Sequence, residues 1–304
     1  MTDAARWDML GLGCVAVDDL LYLDAFPQPD TKTRVRGRER QCGGLTGNAL
    51  VAAARLGARC AFAGTLGTDE ASHFVLDAFQ REGIDISSVR IEADARPIRS
   101  TILVDQSRQT RTVLFDLSGT RGAAPDWPPE AVLRDTRSIY IDHYGIEGMI
   151  RAARVAHDAG GTVLGDLERD EWPGFDDLLA LVDHVVVNQA FASKRTGLDN
   201  PAAAAERFWD AGRQAVVVTC GAAGSWWLGQ GALQARHQPA FTVDAVDTTG
   251  CGDVFHGAYA AALVKGLPLE ERVRIASAAA ALKATKAGGQ GSPRWEEVTA
   301  FLGR

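Results

Sequence analysis

The 304-residue sequence predicts an α/β fold in which a mostly parallel sheet carries helices on both faces. Short apolar runs rich in valine and isoleucine alternate with helical patterns, and several of those patterns close at glycine. The predicted strands are MLGLGCVAV, RCAFAGTLG, SIYIDHYG, GTVLGDL, HVVVN and QAVVVTCG. The predicted helices are GNALVAAARLG, ASHFVLDAFQREG, IEGMIRAARVAHDAGG and PAAAAERFWDAGR.

Two segments interrupt this alternation and predict a small second sheet. TKTRVRGRERQ alternates without a strong apolar face, and RSTILVDQSRQTRTVLFD is typical of a hairpin around Ser107, Arg108 and Gln109. The chain contains no low-complexity linker and no internal repeat. We therefore predict one domain over residues 1–304, with the second sheet formed by inserted segments at about 14–42 and 97–117.

Composition limits the classes of function. Apolar residues make up 46% of the chain and charged residues 23%, as is typical of a globular protein. The net charge of −7 argues against a nucleic-acid partner or a basic membrane-binding face. No apolar run approaches the length of a membrane span, and the first ten residues do not resemble a secretory signal. The five cysteines and six histidines show no metal-ligand spacing, so we expect a cytoplasmic chain with reduced thiols and no structural metal.

The most informative motif is DTTGCGD, residues 247–253, which is followed at once by the helical pattern VFHGAYAAALVKG. The backbone amides of Gly250, Cys251 and Gly252 would point into the start of that helix, where the helix dipole also favours an anion. A carboxylate directly after such a cradle suits a phosphoryl group in transfer, with Asp253 taking a proton from the attacking hydroxyl. The alternative is an ordinary capped turn with Asp253 in the first turn of the helix.

This motif resembles the C-terminal signature D-T-x-G-A-G-D of the ribokinase-like (PfkB) carbohydrate kinases, with Cys251 where that family usually has alanine. The family's N-terminal signature is similar to Gly43-Gly44-Leu45-Thr46-Gly47-Asn48, and GTLGTD at residues 64–69 is similar to its G-x-x-G-x-D turn. The resemblance implies a ribokinase-like fold whose second sheet is a lid, in some members also a dimer contact. It also implies transfer of the ATP γ-phosphoryl group to a sugar hydroxyl, which we expect to be primary.

The resemblance also implies where the sugar binds. Asp18, which aligns better than Asp19, would accept hydrogen bonds from sugar hydroxyls. Gly43 and Gly44 would let the backbone approach the sugar, and Asn48 would contact it, although Asn48 is also a plausible helix N-cap. Positive charge for an anionic sugar would come from basic residues that otherwise form a solvated lid edge. These basic residues are Lys32 and the arginines at positions 34, 36, 38, 40, 99 and 111.

The nucleotide half of the resemblance is less complete. Thr219, Gly221 and Gly224 match the family's T-x-G-x-x-G turn, for which a plain strand-turn-strand is the alternative. Asn188 matches the start of its N-x-x-E motif, but Phe191 stands where the glutamate is expected, so Asp166 or Glu168 is a candidate replacement in the Mg²⁺ network. The further implied contacts are Thr248 and Gly288 for ATP, and Asp247 with the backbone of residues 288–292 for a possible K⁺ ion.

The acceptor is predicted only as a class. The C-terminal third resembles sulfofructose-kinase-type members, and RTVLFD and VLGDLERDEW resemble ketohexokinases, so we expect a ketose-like or anionic sugar. IDHYGIEG lacks an arginine that would suit a dedicated sulfonate clamp. A nucleoside kinase of the same fold and a non-catalytic sugar sensor are the alternatives.

Two further hypotheses come from individual residues. Gly11-Leu12-Gly13-Cys14-Val15-Ala16 fits a loose dinucleotide fingerprint, but the chain continues in an extended pattern instead of starting a helix, which argues against NAD. Cys251, at a helix N-terminus, could carry a thiol of lowered pKa whose modification blocks phosphate binding. The alternative is that Cys251 is a small apolar residue that fits where alanine usually lies.

Overall fold

The computed structural model describes residues 5–108 and 110–303. The strands are β1 Met9–Gly11, β2 Ala16–Leu23, β3 Gly37–Gly43, β4 Cys60–Phe62, β5 Thr65–Leu66, β6 Arg90–Ile91, β7 Ile98–Asp105, β8 Thr110–Asp116, β9 Ser138–Ile141, β10 Thr162–Asp166, β11 His184–Asn188, β12 Ala215–Thr219, β13 Ser225–Gly229 and β14 Arg236–Gln238. The helices are α1 Leu45–Arg55, α2 Glu70–Arg81, α3 Glu130–Arg134, α4 Ile146–Asp158, α5 Phe175–Ala180, α6 Gln189–Thr196, α7 Pro201–Phe208, α8 Cys251–Val264, α9 Leu269–Ala284 and α10 Trp295–Phe301.

The main sheet has eight strands in the order β14-β13-β12-β11-β10-β9-β1-β4. Its strands are parallel from β12 to β4, and β13 and β14 extend it in antiparallel pairings. Alternate residues of β11 enter opposite cores: Val186 packs with α1, α8 and α9, whereas Val185 and Val187 pack with α4 to α7. The predicted α/β fold with helices on both faces is confirmed.

The second sheet has four strands in the order β3-β2-β7-β8. Strands β2 and β7 are parallel, and the two outer pairings are antiparallel. All four strands fall within, or one residue beyond, the two segments proposed from the sequence. Strands β7 and β8 form the predicted hairpin, of which Gln109 lies outside the described residues.

The predicted strand MLGLGCVAV was wrong as a single element, because it divides between the two sheets as β1 and the start of β2. At the division, the Cys14 amide donates to Asp142 Oδ2 at 2.7 Å, and a Cβ on Gly13 would lie 1.9 Å from the same oxygen. The chain needs glycine there to pass close to the side chain of Asp142, which follows β9. No helix follows the glycines, so the strand-turn-helix required for a dinucleotide site is absent from this described segment.

The remaining expectations concern cysteines and membranes. All five cysteines are unpaired. Within residues 5–108 and 110–303, no helix is both long enough and apolar enough to cross a membrane.

Helices α1 and α8 pack backbone against backbone. A Cβ on Gly257 of α8 would lie 2.2 Å from the carbonyl oxygen of Ala49 and 2.7 Å from the Ala52 Cβ, both in α1. No side chain can be added at Gly257 without separating the two helices.

Gly257→Ala is expected to lower the free energy of unfolding by about 1–3 kcal/mol, because the added methyl group collides with main chain. Helix propensity alone would give the opposite sign, a gain of about 1 kcal/mol. Urea unfolding followed by circular dichroism measures the difference. Gly212→Ala is the matched control, since Gly212 lies exposed in a loop where its Cβ would make an ordinary 3.4 Å contact with Asp210. A stabilised Gly257→Ala protein would contradict the packing argument.

Candidate active site

The predicted anion cradle lies at the start of α8. Gly250 is the N-cap residue in the left-handed region, with φ 73°, a conformation that favours glycine. The Cys251 amide donates to the Thr248 carbonyl oxygen at 3.2 Å, so this amide is already engaged. Among the described residues, the amides of Gly250 and Gly252 have no protein acceptor. Of the three predicted amides, these two are available to an anion.

Asp253 lies in the first turn of α8 and meets Asn48 of α1. The Asn48 Nδ2 group donates to Asp253 Oδ2 at 2.7 Å, although the two residues are 205 positions apart. Asn48 Oδ1 is buried without a partner in the described structure, and it could accept a hydrogen bond from a ligand hydroxyl. The N-cap interpretation of Asn48 was wrong, because Gly44 caps α1.

The pKa of the Asp253 carboxyl is raised above its ordinary value. Burial is the main cause, the negative charge of Asp166 adds to it, and the hydrogen bond from Asn48 opposes it. A carboxylate with a raised pKa is a better proton acceptor than an ordinary one, which suits a general base.

Asp18 and the two glycines lie before and at the start of α1, where the Asn48 amide donates to the Gly44 carbonyl oxygen at 2.9 Å. Asp18 in β2 is 9% exposed, and a Cβ on Gly43 would lie 2.1 Å from its Oδ2 atom. Burial raises the pKa of Asp18, and a hydrogen bond with Ser100 opposes that effect. Gly44 has φ 86° at the N-cap of α1. Asp19, on the other face of β2, instead forms an exposed ion pair with Arg40 at 2.7 Å.

Three of the six arginines considered for an anionic sugar are paired with acids. Arg36 pairs with Asp24, Arg40 with Asp19 and Glu70, and Arg99 with Asp69. Lys32 lies exposed in the loop between β2 and β3.

Arg111 in β8 differs, because its Nη1 group donates to Thr248 Oγ1 at 3.2 Å. The lid therefore brings one guanidinium to the anion cradle, across 137 residues of sequence.

A cavity of about 490 Å³ lies next to the cradle. Thr219, Gly221, Gly224 and Thr248, all predicted to bind nucleotide, line it together with Cys251 and Gly252. Gly224, with φ 90°, would place a Cβ 2.1 Å from the Gln238 carbonyl oxygen, so the turn after β12 needs glycine. The rest of the wall is mostly apolar and comes from residues that the sequence motifs did not indicate. These include Phe241, Val243, Phe255, Ala281 and Ala284.

Asn188 ends β11 and pairs with Glu168. Its Nδ2 group donates to Glu168 Oε1 at 3.1 Å, and its Oδ1 atom caps α6 through the Phe191 amide. Asp166 is buried and accepts a hydrogen bond from the Tyr140 hydroxyl at 2.8 Å. Glu168 is exposed whereas Asp166 is buried, so Glu168 is the more accessible of the two candidates for the missing glutamate. No group of three metal-binding side chains occurs among the described residues.

Gly288 does not line the cavity. Its amide donates to Asp247 Oδ2 at 2.8 Å, and a Cβ there would lie within 2.1 Å of the Gln41 side chain from the lid strand β3. Its position, with φ 75°, serves the contact between the lid and the segment after α9.

Burial raises the pKa of the Cys251 thiol, although the charge of Lys283 opposes the shift. Its Sγ atom contacts the Ala280 carbonyl oxygen at 3.5 Å. The hypothesis of a lowered pKa was therefore wrong: the thiol is partly covered by α9, and desolvation outweighs the nearby cations. Cys251 behaves as a small residue that fits its site.

His143 follows β9 and was not indicated by any motif. Its ring stacks on Trp172 at 5.1 Å and contacts Tyr144 at 4.6 Å. The side chain is buried, and both ring nitrogens lack partners among the described residues. Burial lowers the pKa of His143. An isolated histidine in IDHYGIEG gives no sequence signal, because only the fold places it beside Trp172.

The model of the pfkB family carbohydrate kinases matches residues 12–296 of this chain. A ribokinase of Haemophilus influenzae is 30% identical over 301 residues, covering 96% of this chain and 97% of the relative. An aminoimidazole riboside kinase of Salmonella typhimurium is 29% identical, covering 86% and 87%. The crystal structure of a ribokinase from Thermotoga maritima superposes with a TM-score of 0.83 at 25% identity, covering 98% of this chain and all of that one.

Cys251 is expected to react with iodoacetamide at pH 7.5 more slowly than a free cysteine, because its raised pKa leaves little thiolate. Mass spectrometry of the native and the urea-unfolded protein measures labelling at this position. The Cys251→Ala protein should keep ATP binding, since alanine fits the same space. If Cys251 of the native protein were labelled fast, and if ATP prevented that labelling, the thiol would instead be activated.

Proposed function

Because the chain belongs to the pfkB family of carbohydrate kinases, it is an ATP-dependent phosphotransferase, and we propose that it phosphorylates a primary hydroxyl of a ketose-like or anionic sugar with Asp253 as the general base. The observation that carries this proposal is the contact between Asp253 and Asn48. This contact brings the N-terminal signature, through Asn48, together with the C-terminal signature, through Asp253. The amides of Gly250 and Gly252 belong to the same region, and Asp18 of β2 is the acid proposed for the sugar.

The transfer step follows from the chemistry of these groups. Asp253 accepts the proton of the attacking hydroxyl, whose oxygen then forms a bond to the γ-phosphorus as the bond to the β-phosphate oxygen breaks. Negative charge on the transferred group is stabilised by the Gly250 and Gly252 amides, by the dipole of α8 and by Arg111. ADP leaves with the bridging oxygen.

The acceptor sugar is proposed to lie among Asp18, Gly43, Gly44 and Asn48. Asp18 accepts hydrogen bonds from two neighbouring hydroxyls, and the Asn48 Oδ1 atom, buried without a protein partner, accepts a third. The absence of a side chain at Gly43 leaves room beside the Asp18 carboxylate.

ATP is proposed to place its base in the largely apolar cavity next to the cradle, with the phosphates at Thr248 and the start of α8. The kinase uses Mg²⁺ with ATP, and the ion neutralises charge on the phosphates when bound. Glu168, oriented by Asn188, would hold this ion in place of the glutamate missing at position 191. K⁺ at Asp247 stays a prediction, and protein donors already bond both carboxylate oxygens of Asp247.

The class of the acceptor sugar is inferred from the positively charged side chains near the cradle. Arg111 at the cradle is compatible with an anionic acceptor, but the arginines at 36, 40 and 99 are committed to ion pairs. A nucleoside-like acceptor is the second candidate, favoured by the similarity to a riboside kinase and by the aromatic cluster of His143, Tyr144 and Trp172.

We also propose a homodimer through the lid and a cytoplasmic location. The edge strand β8 exposes Val113, Leu114 and Phe115 by 45%, 53% and 56%, and an edge with exposed apolar side chains favours pairing with another chain. Five unpaired cysteines suit a reducing compartment.

The decisive test is ADP release from Mg·ATP with a panel of ketoses, aldoses, sugar acids, sugar phosphates, sulfosugars and ribosides. Asp253→Asn keeps the size of the side chain but cannot accept the proton, so kcat should fall by about 10²–10⁴-fold. Isothermal titration should show that this variant still binds ATP. An Asp253→Asn protein as fast as the wild type would exclude the base, and a folded wild type that binds ATP but accepts no compound would favour a sensor.

Asp18 and Asp19 form a matched pair of adjacent acids on opposite faces of β2. Asp18→Asn should raise KM for the acceptor by about tenfold or more, because hydrogen bonds to a charged group are lost. Asp19→Asn should leave KM unchanged, since an exposed ion pair contributes little. Steady-state kinetics at saturating ATP measure both, and equal effects of the two substitutions would remove Asp18 from the sugar site.

A further inference from the structure

A buried lysine lies behind the start of α8. Lys283, in the last turn of α9, is 0% exposed, and its ammonium donates to the carbonyl oxygens of Asp247 at 2.7 Å and Lys286 at 3.2 Å. In the part of the chain that the structure describes, it makes no direct ion pair with a carboxylate. The reaction proposed above assigns no role to this side chain.

The surroundings are those of a cation site. Burial lowers the pKa of Lys283 and the charge of Arg111 adds to that effect, whereas the nearby carboxylates of Asp247 and Asp253 favour the charged form. The carbonyl oxygens at the C-terminal end of α9 add the negative end of a helix dipole. A buried ammonium costs several kcal/mol unless such groups compensate it.

The same lysine joins two segments that build the cradle. The amides of Val246 and Asp247 both donate to the Ala284 carbonyl oxygen, at 2.7 and 3.0 Å. Lys283 adds a bond from the end of α9 to the Asp247 carbonyl oxygen. The residues just before Gly250 are therefore attached to α9 through both main chain and side chain.

A K⁺ ion bound by Asp247 does not fit these surroundings. Asp247 Oδ1 accepts hydrogen bonds from the Thr249 amide and hydroxyl, and Oδ2 accepts one from the Gly288 amide. The Asp247 carbonyl oxygen is bonded to Lys283. A Cβ on Gly291 would lie 3.7 Å from Lys283 Cε, so the segment that was predicted to hold the ion covers the lysine stem instead.

We propose that Lys283 is a built-in cation that makes the kinase independent of monovalent metal ions. Its ammonium fixes the segment before Gly250 and places a permanent positive charge behind the amides that receive the phosphoryl group. Lys283 acts through this loop and does not touch substrate, so it is a positioning residue. The inference rests on the proposed kinase reaction.

The first experiment uses the wild-type protein with choline, sodium or potassium chloride at constant ionic strength. We expect the same kcat and KM in all three salts, and the same thermal midpoint, because an ion that bound the native state would raise it. A higher kcat or midpoint in potassium alone would overturn the inference. The midpoint is informative even if no acceptor is found, so a failure of the proposed reaction is distinguishable from a failure of this inference.

The second experiment removes the charge. Lys283→Met keeps the apolar stem, and kcat should fall by about tenfold or more with a smaller change in KM. Lys283→Ala leaves space next to the same carbonyl oxygens, so potassium or ammonium ions should restore part of the kcat of this variant. The same ions should not restore the kcat of Lys283→Met, whose side chain still fills the space. Lys265→Met, at the opposite end of α8 where the lysine packs over Trp295, is the matched control with unchanged kcat. Wild-type kcat in Lys283→Met would overturn the proposal; if neither variant folds, the salt series decides it.

Discussion

The contact between α1 and α8 determines the geometry of the rest of the site. The two helices touch main chain to main chain at Gly257 and Ala49, and each begins at a glycine with positive φ. Their N-termini therefore converge, and Asn48 and Asp253 meet at the point of convergence. Because both helix dipoles direct their positive ends there, the site favours a negatively charged group before any charged side chain is considered.

Charge around this point is divided between the two substrates. The carboxylates of Asp18 and Asp253 face the proposed sugar, and burial raises the pKa of both. Arg111 and Lys283 approach the cradle from the lid and from α9. An attacking hydroxyl thus meets a proton acceptor, while the phosphoryl group meets amides and cations. The separation is needed because a carboxylate beside the phosphates would otherwise repel them.

The lid joins the sugar and phosphate regions mechanically. Strand β2 carries Asp18, β3 ends at the glycines that precede α1, and β8 supplies Arg111. Gln41 of β3 packs against Gly288. A movement of this sheet would therefore change the sugar site and the phosphate site together, which is how closure excludes water from a phosphoryl transfer.

The sequence by itself determined the α/β class, the second sheet, the family and the residues of both signatures, since these depend on local periodicity and on glycines at fixed spacing. Only the tertiary structure decided which positively charged side chains are paired with acids and which are available to a substrate. Arg36, Arg40 and Arg99 look equivalent to Arg111 in the sequence, yet acids that are distant along the chain neutralise the first three. Likewise, the sequence shows Lys283 only as a lysine in an alanine-rich helix, and it is the packing of the folded chain that buries its side chain away from water. Pairing and burial depend on which distant segments meet, and that information lies in the packing of the whole chain.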